Sequence, residues 1–270
     1  MKIGILSPKY LNEFNLNVIN PIMMDKRFSI NLVIIDDKTP QSLLQKFKKN
    51  WRKGRGGYII IMFLQKFISG RKEKLIPAEN FFKKHNIKII LTKDIHDKKI
   101  IKLIKNHHLD ALVLLGGFGI IKKPLLNLVP YGVISYHHGD MRKYRGMPPA
   151  FWELYNGEKE MGITVQRLTK GLDCGCPIIE KKIKILPTDT FKSLKERAMK
   201  ESEDMMYKAL IKLMEKEICK GFIQQDCYIR QLGNIYSLPN FRVWFILQIR
   251  TFFKILKFSI IKRIIKIFKI

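Results

Sequence analysis

Three short β-branched runs set the strongest constraint on this chain: residues 87–91 (IKIIL), 111–115 (ALVLL) and 132–136 (GVISY). Between them, 97–106 place Ile100, Ile101, Leu103 and Ile104 at helical spacing, and 122–129 are helical in pattern. Strand, helix, strand, helix at this interval predicts a mostly parallel α/β sheet with flanking helices. Two earlier runs, 1–6 and 29–35 (SINLVII), read as further strands, and Thr39-Pro40 as a helix opening. In such sheets ligands gather beyond the carboxyl ends of the strands. That rule puts two features on one rim: the GGFG run (Gly116, Gly117, Phe118, Gly119) and His137.

The stretch from 132 to 175 carries most of the polar chemistry. Its strand delivers His137 and His138 into a loop holding Asp140, Arg142, Lys143, Arg145 and Gly146. Pro148 and Pro149 then open a short helix through Asn156, a strand covers 162–168, and a glycine turn at 171–175 (GLDCG) presents Asp173. A histidine and an aspartate held at strand and turn ends form a workable pair for proton handling and charge stabilisation. Further on, 177–185 reads as an edge or antiparallel strand. Thr188 or Asp189 can cap a long helix running to about Lys216.

Other motifs exclude functions. The start lacks the G-x-G-x-x-G of dinucleotide binding, and 53–57 (KGRGG) lacks the lysine–serine/threonine ending of a phosphate loop. The run 58–67 is apolar and ambiguous between strand and helix. Cys174, Cys176, Cys219 and Cys227 match neither a disulfide framework nor zinc spacing, and read as incidental thiols in a reducing cytoplasm. Nothing implies a metal. No secretory leader and no run of 18 uncharged apolar residues is present, which predicts no membrane-spanning helix.

Composition matters chiefly through charge. The 270 residues carry a net charge of +28, of which the last thirty contribute eight Lys/Arg and no acid. A lysine- and isoleucine-rich proteome accounts for such totals as readily as a polyanionic partner does. Residues 1–216 read as the catalytic domain, 217–240 as a connecting segment, and 241–270 as a basic apolar helical tail. In the tail Arg250, Lys254 and Lys257 share a helical face, whereas the lysines from 262 onward drift to the opposite side, which suggests two short helices. Such a tail suits an anionic membrane surface, at the inner face in a cytoplasmic setting. A docked helix with solvated lysines is the alternative.

GVISYH at 132–137, KYRG at 143–146, NGEKEMGITV at 156–165 and GLDCG at 171–175, in this order, resemble the folate-dependent formyltransferases. That family includes the methionyl-tRNA, glycinamide ribonucleotide and sugar-nucleotide enzymes. The resemblance runs from about residue 87 to 198 and more weakly back to Met1. It implies a Rossmann-like sheet and transfer of a formyl group from 10-formyltetrahydrofolate to a primary amine. It implies His137 and Asp173 as catalytic residues, GGFG as a backbone-lined wall of the folate pocket, and His138, Asp140, Arg142, Arg145 and Gly146 around the acceptor.

Two departures stand out. The family's catalytic asparagine position holds Ser135, a shorter and less fixed donor. After its histidine the family has an apolar stretch with a proline, where this chain has His138-Gly139-Asp140-Met141-Arg142. That loop suggests a more polar acceptor, unless Asp140 and Arg142 simply pair with each other. The tRNA enzymes carry a C-terminal β-barrel; residues from 241 onward do not alternate like short strands, so tRNA is the weaker expectation. Ser7-Pro8-Lys9-Tyr10 supplies no glycine-rich phosphate loop, which argues against a glycinamide ribonucleotide acceptor. An amino sugar, nucleotide-linked or lipid-linked, is the leading expectation. Alternatives are a formyltetrahydrofolate hydrolase, which uses water as acceptor, and a folate-binding homologue that lost catalysis with the asparagine.

Overall fold

The computed structural model describes residues 1–39, 42–52, 74–218 and 231–268. The expected loop at 53–57, the apolar run at 58–67, Cys219 and Cys227 lie outside the described residues. β1 (Lys2–Ser7), β3 (Ser29–Asp36), β5 (Ile89–Thr92), β6 (Ala111–Leu114), β7 (Val133–His137), β9 (Glu160–Arg167) and β10 (Cys176–Lys184) form one sheet in the order β10-β9-β7-β6-β1-β3-β5. The five strands from β7 to β5 are parallel, while β9 and β10 add antiparallel pairs at one edge; β2 (Tyr10–Leu11) and β4 (Ile76–Pro77) pair with each other outside this sheet.

Both faces are buried, as a parallel sheet requires. One face carries Ile3, Ile5, Val33, Ile134, Ile163 and Val165 against helices α1 (Glu13–Met24), α3 (Ala78–Lys84), α6 (Phe191–Lys200) and α7 (Met205–Ile218). The other carries Leu6, Leu32, Ile34, Leu112 and Val133 against Ile104 of α4 (Lys98–Asn106) and the loop residues Phe118, Ile121 and Leu125. Sequence order reverses direction between β1 and β6, and the crevice where ligands collect opens at such a switch point. The glycine loop after β6 lies there, with Gly117 packed on Asp36 and Pro8.

Several local expectations are corrected. The helix expected to open at Thr39-Pro40 is α2 (Leu43–Trp51), capped by Ser42 with Gln45 closing a capping box. Residues 122–129 hold only a single 3₁₀ turn, Leu125–Asn127, because Pro124 has no N–H to give and disfavours helix before it. The long helix from 188 is two: Thr190 caps α6, and turns at 201–204 separate it from α7. The tail is one continuous helix, α8 (Phe241–Phe268), not two. Cys176 is disulfide-bonded rather than an incidental thiol, whereas Cys174 is free. Among the described residues, no helix is long and apolar enough to cross a membrane.

The expected connector holds a strand. β11 (Asn234–Tyr236) pairs in parallel with β8 (Tyr144–Gly146), the strand formed by YRG of the KYRG motif.

Candidate active site

β7 ends in His137, and alternation along the strand decides what accompanies it. Ser135 and His137 share one sheet face, and Tyr136 and His138 the other. His137 is only 7% exposed. Its Nε2 lies 2.8 Å from the carbonyl oxygen of Tyr144. A carbonyl only accepts, so Nε2 carries a proton, which it donates. The opposite nitrogen, Nδ1, faces Asp173 Oδ2 at 3.4 Å. A proton on Nδ1 makes this a charge-assisted contact; without it, two lone pairs oppose each other. The ring is thus held between a fixed acceptor and a carboxylate, with Nδ1–Oδ2 as the place for a mobile proton.

Asp173 is presented by strained backbone: its own φ is 45° and that of Gly171 is 123°. Oδ2 also accepts the backbone N–H of Gly146 at 2.7 Å. The KYRG segment thereby holds both members of the pair, through the Tyr144 carbonyl and the Gly146 amide. Gly146 has φ 88°, and a side chain there would collide with the Tyr236 carbonyl, at 2.0 Å from its Cβ.

The segment 231–240 straps this loop down. Gly233 N donates to Met141 O at 2.9 Å, Met147 N to Tyr236 O at 3.2 Å, and Trp152 Nε1 to Ser237 O at 3.1 Å. Arg145, expected at the acceptor, spends its guanidinium on two carbonyls, Gly233 O at 2.8 Å and Leu172 O at 3.5 Å. It therefore ties the strap to the turn of Asp173.

Other expected residues are placed differently from the His137–Asp173 pair. His138 packs on the opposite face, its ring stacked on Tyr136 and edge-on to Phe14, with Nε2 3.1 Å from Ser202 Oγ. Burial first, then neighbouring His137 and Lys195, push its pKa down to about 4. Asp140 and Arg142 pair with each other at 3.4 Å, and Arg142 forks onto both oxygens of Glu180 at 2.5 and 3.1 Å. Ser135 is half-buried with one weak bond, Oγ to Tyr136 O at 3.4 Å.

Of the glycine loop, Phe118 is buried in the core, whereas a Cβ at Gly116 or Gly119 would meet nothing within 4 Å. All three glycines have positive φ, between 73° and 142°. Leu114 pairs with Ser135, so this loop leaves the sheet beside His137. The loop thus offers open, side-chain-free backbone at Gly116 and Gly119 beside the His–Asp pair.

One residue escaped the sequence reading. Glu153, in α5 (Phe151–Tyr155), is 2% exposed, and burial pushes its carboxyl up to about 7. It stands at the third position of α5, just after Ala150, whose φ is 70°. An acid three residues past a helix's first capping position was the available signal. Glu153 and Asp140 also line a cavity of about 800 Å³ with Tyr144, Asn156, Lys143 and Lys184, flanking the loop rather than holding His137 or Asp173.

Comparison with known proteins agrees with this architecture. Methionyl-tRNA formyltransferase of Fusobacterium nucleatum is 27% identical over 184 residues, covering 64% of this chain and 59% of that protein. The chain spans about half the length of the curated relatives it matches. Glycinamide ribonucleotide transformylase 1 from Symbiobacterium toebii shares the fold with a TM-score of 0.57 at 17% identity, over 87% of this chain and 94% of that one. The N-formyltransferase from Helicobacter canadensis, solved with folinic acid and dTDP-3-aminofucose, gives 0.53 at 16% identity, over 89% and 73%. The family described as formyl transferase matches residues 31–210, two thirds of the sequence, and the chain belongs to it.

Proposed function

We propose that this protein transfers a formyl group from 10-formyltetrahydrofolate to the primary amine of an amino sugar, nucleotide-linked or lipid-linked. The observation that carries the transfer chemistry is the His137 Nδ1–Asp173 Oδ2 approach beside the open glycine loop. The folate supplies the formyl carbon as electrophile, and Gly116, Gly117 and Gly119 are the residues that would receive it. The acceptor amine forms a C–N bond to that carbon as the carbonyl π pair moves onto oxygen. The nitrogen's surplus proton passes to the Nδ1–Oδ2 slot, where imidazolium and carboxylate stabilise each other. As the oxygen pair returns, the bond to the departing nitrogen breaks and that nitrogen takes the proton. Tyr144 and Gly146 keep the slot in place through their backbone groups.

The amino-sugar acceptor is supported by the polar cavity beside the loop, whose Asp, Glu, Asn, Tyr and Lys lining suits a hydroxyl-rich ligand. The Helicobacter canadensis neighbour bound to an aminofucose nucleotide supports it as well. Methionyl-tRNA is the second reading, favoured by the names of the sequence relatives. We further propose that the tail rests on an anionic membrane surface, which would bring a lipid-linked acceptor within reach. The deciding assay is turnover of 10-formyltetrahydrofolate by the full chain with amino-sugar nucleotides, with methionyl-tRNA, and with water alone. Release of tetrahydrofolate only with an amino sugar, reduced on the order of 10²–10⁴-fold in His137→Ala and Asp173→Ala, is the expected result. Formate release without any amine identifies a hydrolase instead.

A further inference from the structure

Ser135 leaves the reaction short of a fixed donor for the oxygen that gains charge, and the structure holds an unused one directly across the ladder. β7 and β9 pair Ser135 with Gln166 and His137 with Thr164. Directly opposed residues in an antiparallel pair point to the same face, their Cβ atoms about 4.5–5.5 Å apart. Gln166 therefore stands on the face of Ser135 and His137. It is 1% exposed.

One half of its amide is fixed. Oε1 accepts the N–H of Gly175 at 2.9 Å, and Gly175 presses so close that a Cβ there would stand 2.5 Å from the same oxygen. Gly175 closes the turn that presents Asp173, so amide and carboxylate belong to one rigid unit. The other half is unspent: among the described residues Nε2 makes no hydrogen bond. An oriented and unspent donor is what charge developing on a carbonyl oxygen requires.

We propose that Gln166 Nε2 is the second oxyanion donor of the transfer reaction, doing from β9 what an asparagine at 135 would do from β7. The inference rests on the formyl-transfer reading above. The carbonyl oxygen that receives the π pair accepts from Nε2–H, and the bond is released when the pair returns; no proton is transferred. Ser135 then serves by being small, leaving room for the longer side chain facing it.

The test uses full-length protein with folinic acid and the 10-formyl donor. In Gln166→Met, kcat is expected to fall on the order of 10²-fold or more, with KM for the donor little changed. Gln166→Glu keeps an oxygen for Gly175 N while removing the donor, and is expected to fall likewise. Adding Ser135→Asn to Gln166→Met should restore part of the rate, which a purely structural role would not allow. A folded Gln166→Met enzyme within threefold of the wild-type kcat overturns the proposal, as does a double variant with no recovery. A second arm is independent of turnover: the ¹H–¹⁵N signals of the Gln166 side-chain amide on adding folinic acid. A shift confined to saturable binding supports the assignment. Binding that leaves those signals unmoved overturns it while leaving formyl transfer standing; absence of folate binding overturns both.

Discussion

Two titratable side chains, buried Glu153 and half-buried His138, flank the site and pull stability in opposite directions with pH. Glu153 has a folded pKa raised to about 7 by burial. Its penalty is absent below the unfolded carboxyl value near 4.5, grows as pH rises, and is complete above 7. By linkage it is on the order of 3 kcal/mol. Glu153→Gln removes the charge while keeping the side chain's shape, so its thermal midpoint should exceed the wild type at pH 8 and match it at pH 4.5. His138 behaves conversely: its folded value is depressed to about 4, so stability is present above about 6.5 and declines as pH falls toward 4. Thermal scans from pH 4 to 8 should show a maximum between these limits that moves upward in Glu153→Gln. A midpoint that is flat in both proteins refutes the assignment. His137 stood out in the sequence because its strand is followed, in order, by the loop, KYRG and GLDCG, a combination far more specific than any one of them. The different direction of His138 follows from strand alternation alone, and two adjacent histidines cannot both face one site.

Elements divide by whether their signals are local. Strands came through well, since buried parallel strands are near-continuous apolar runs whatever they pack against. The split between α6 and α7 left no trace, because Ala198 and Met205, both buried, are seven residues apart and the apolar period runs through the break. What breaks the helix is tertiary: Tyr136 Oη donates to Ser202 O and accepts the Met206 amide. β11 was equally hidden. NIY is too short to announce a strand, and its partner lies about ninety positions earlier. The strap nevertheless has a sharp expected consequence. In Gly146→Ala the added methyl meets the Tyr236 carbonyl, which should free the Asp173 turn, lower kcat at least tenfold and depress the thermal midpoint. Arg145→Ala should speed hydrogen exchange at the Gly146 amide with little change in acceptor KM. A rise in acceptor KM with unchanged kcat would instead assign Arg145 to the acceptor, as its sequence position suggested.

Taken whole, the molecule is a sheet domain with one long basic helix attached beside its active rim. α8 is anchored early, by buried Leu247 and by Arg250, which stacks 5.3 Å over the Tyr155 ring of α5 and donates to its carbonyl. From 252 to 261 most of its large side chains are exposed, Phe252 and Phe253 at 63% and 62%, beside Lys254 and Lys257. Rotation of charge around the helix misled the sequence reading into two pieces. Without glycine or proline the backbone simply continues, and polar and apolar residues are mixed around its surface. We expect the protein to co-sediment with vesicles rich in anionic phospholipid, not with zwitterionic ones, and to be released by high salt. Phe252→Asp with Phe253→Asp should lower retention, and equal binding to neutral vesicles would count against a charge-led surface. The strap also bears on biosynthesis. Domains form from the N-terminus as the chain emerges, but the loop that fixes His137 and Asp173 waits for residues 233–237 to arrive and pair with 144–146. A nascent chain halted before that point would own all seven strands of the main sheet and still leave the loop around His137 and Asp173 unfastened, so the site is completed only after its scaffold.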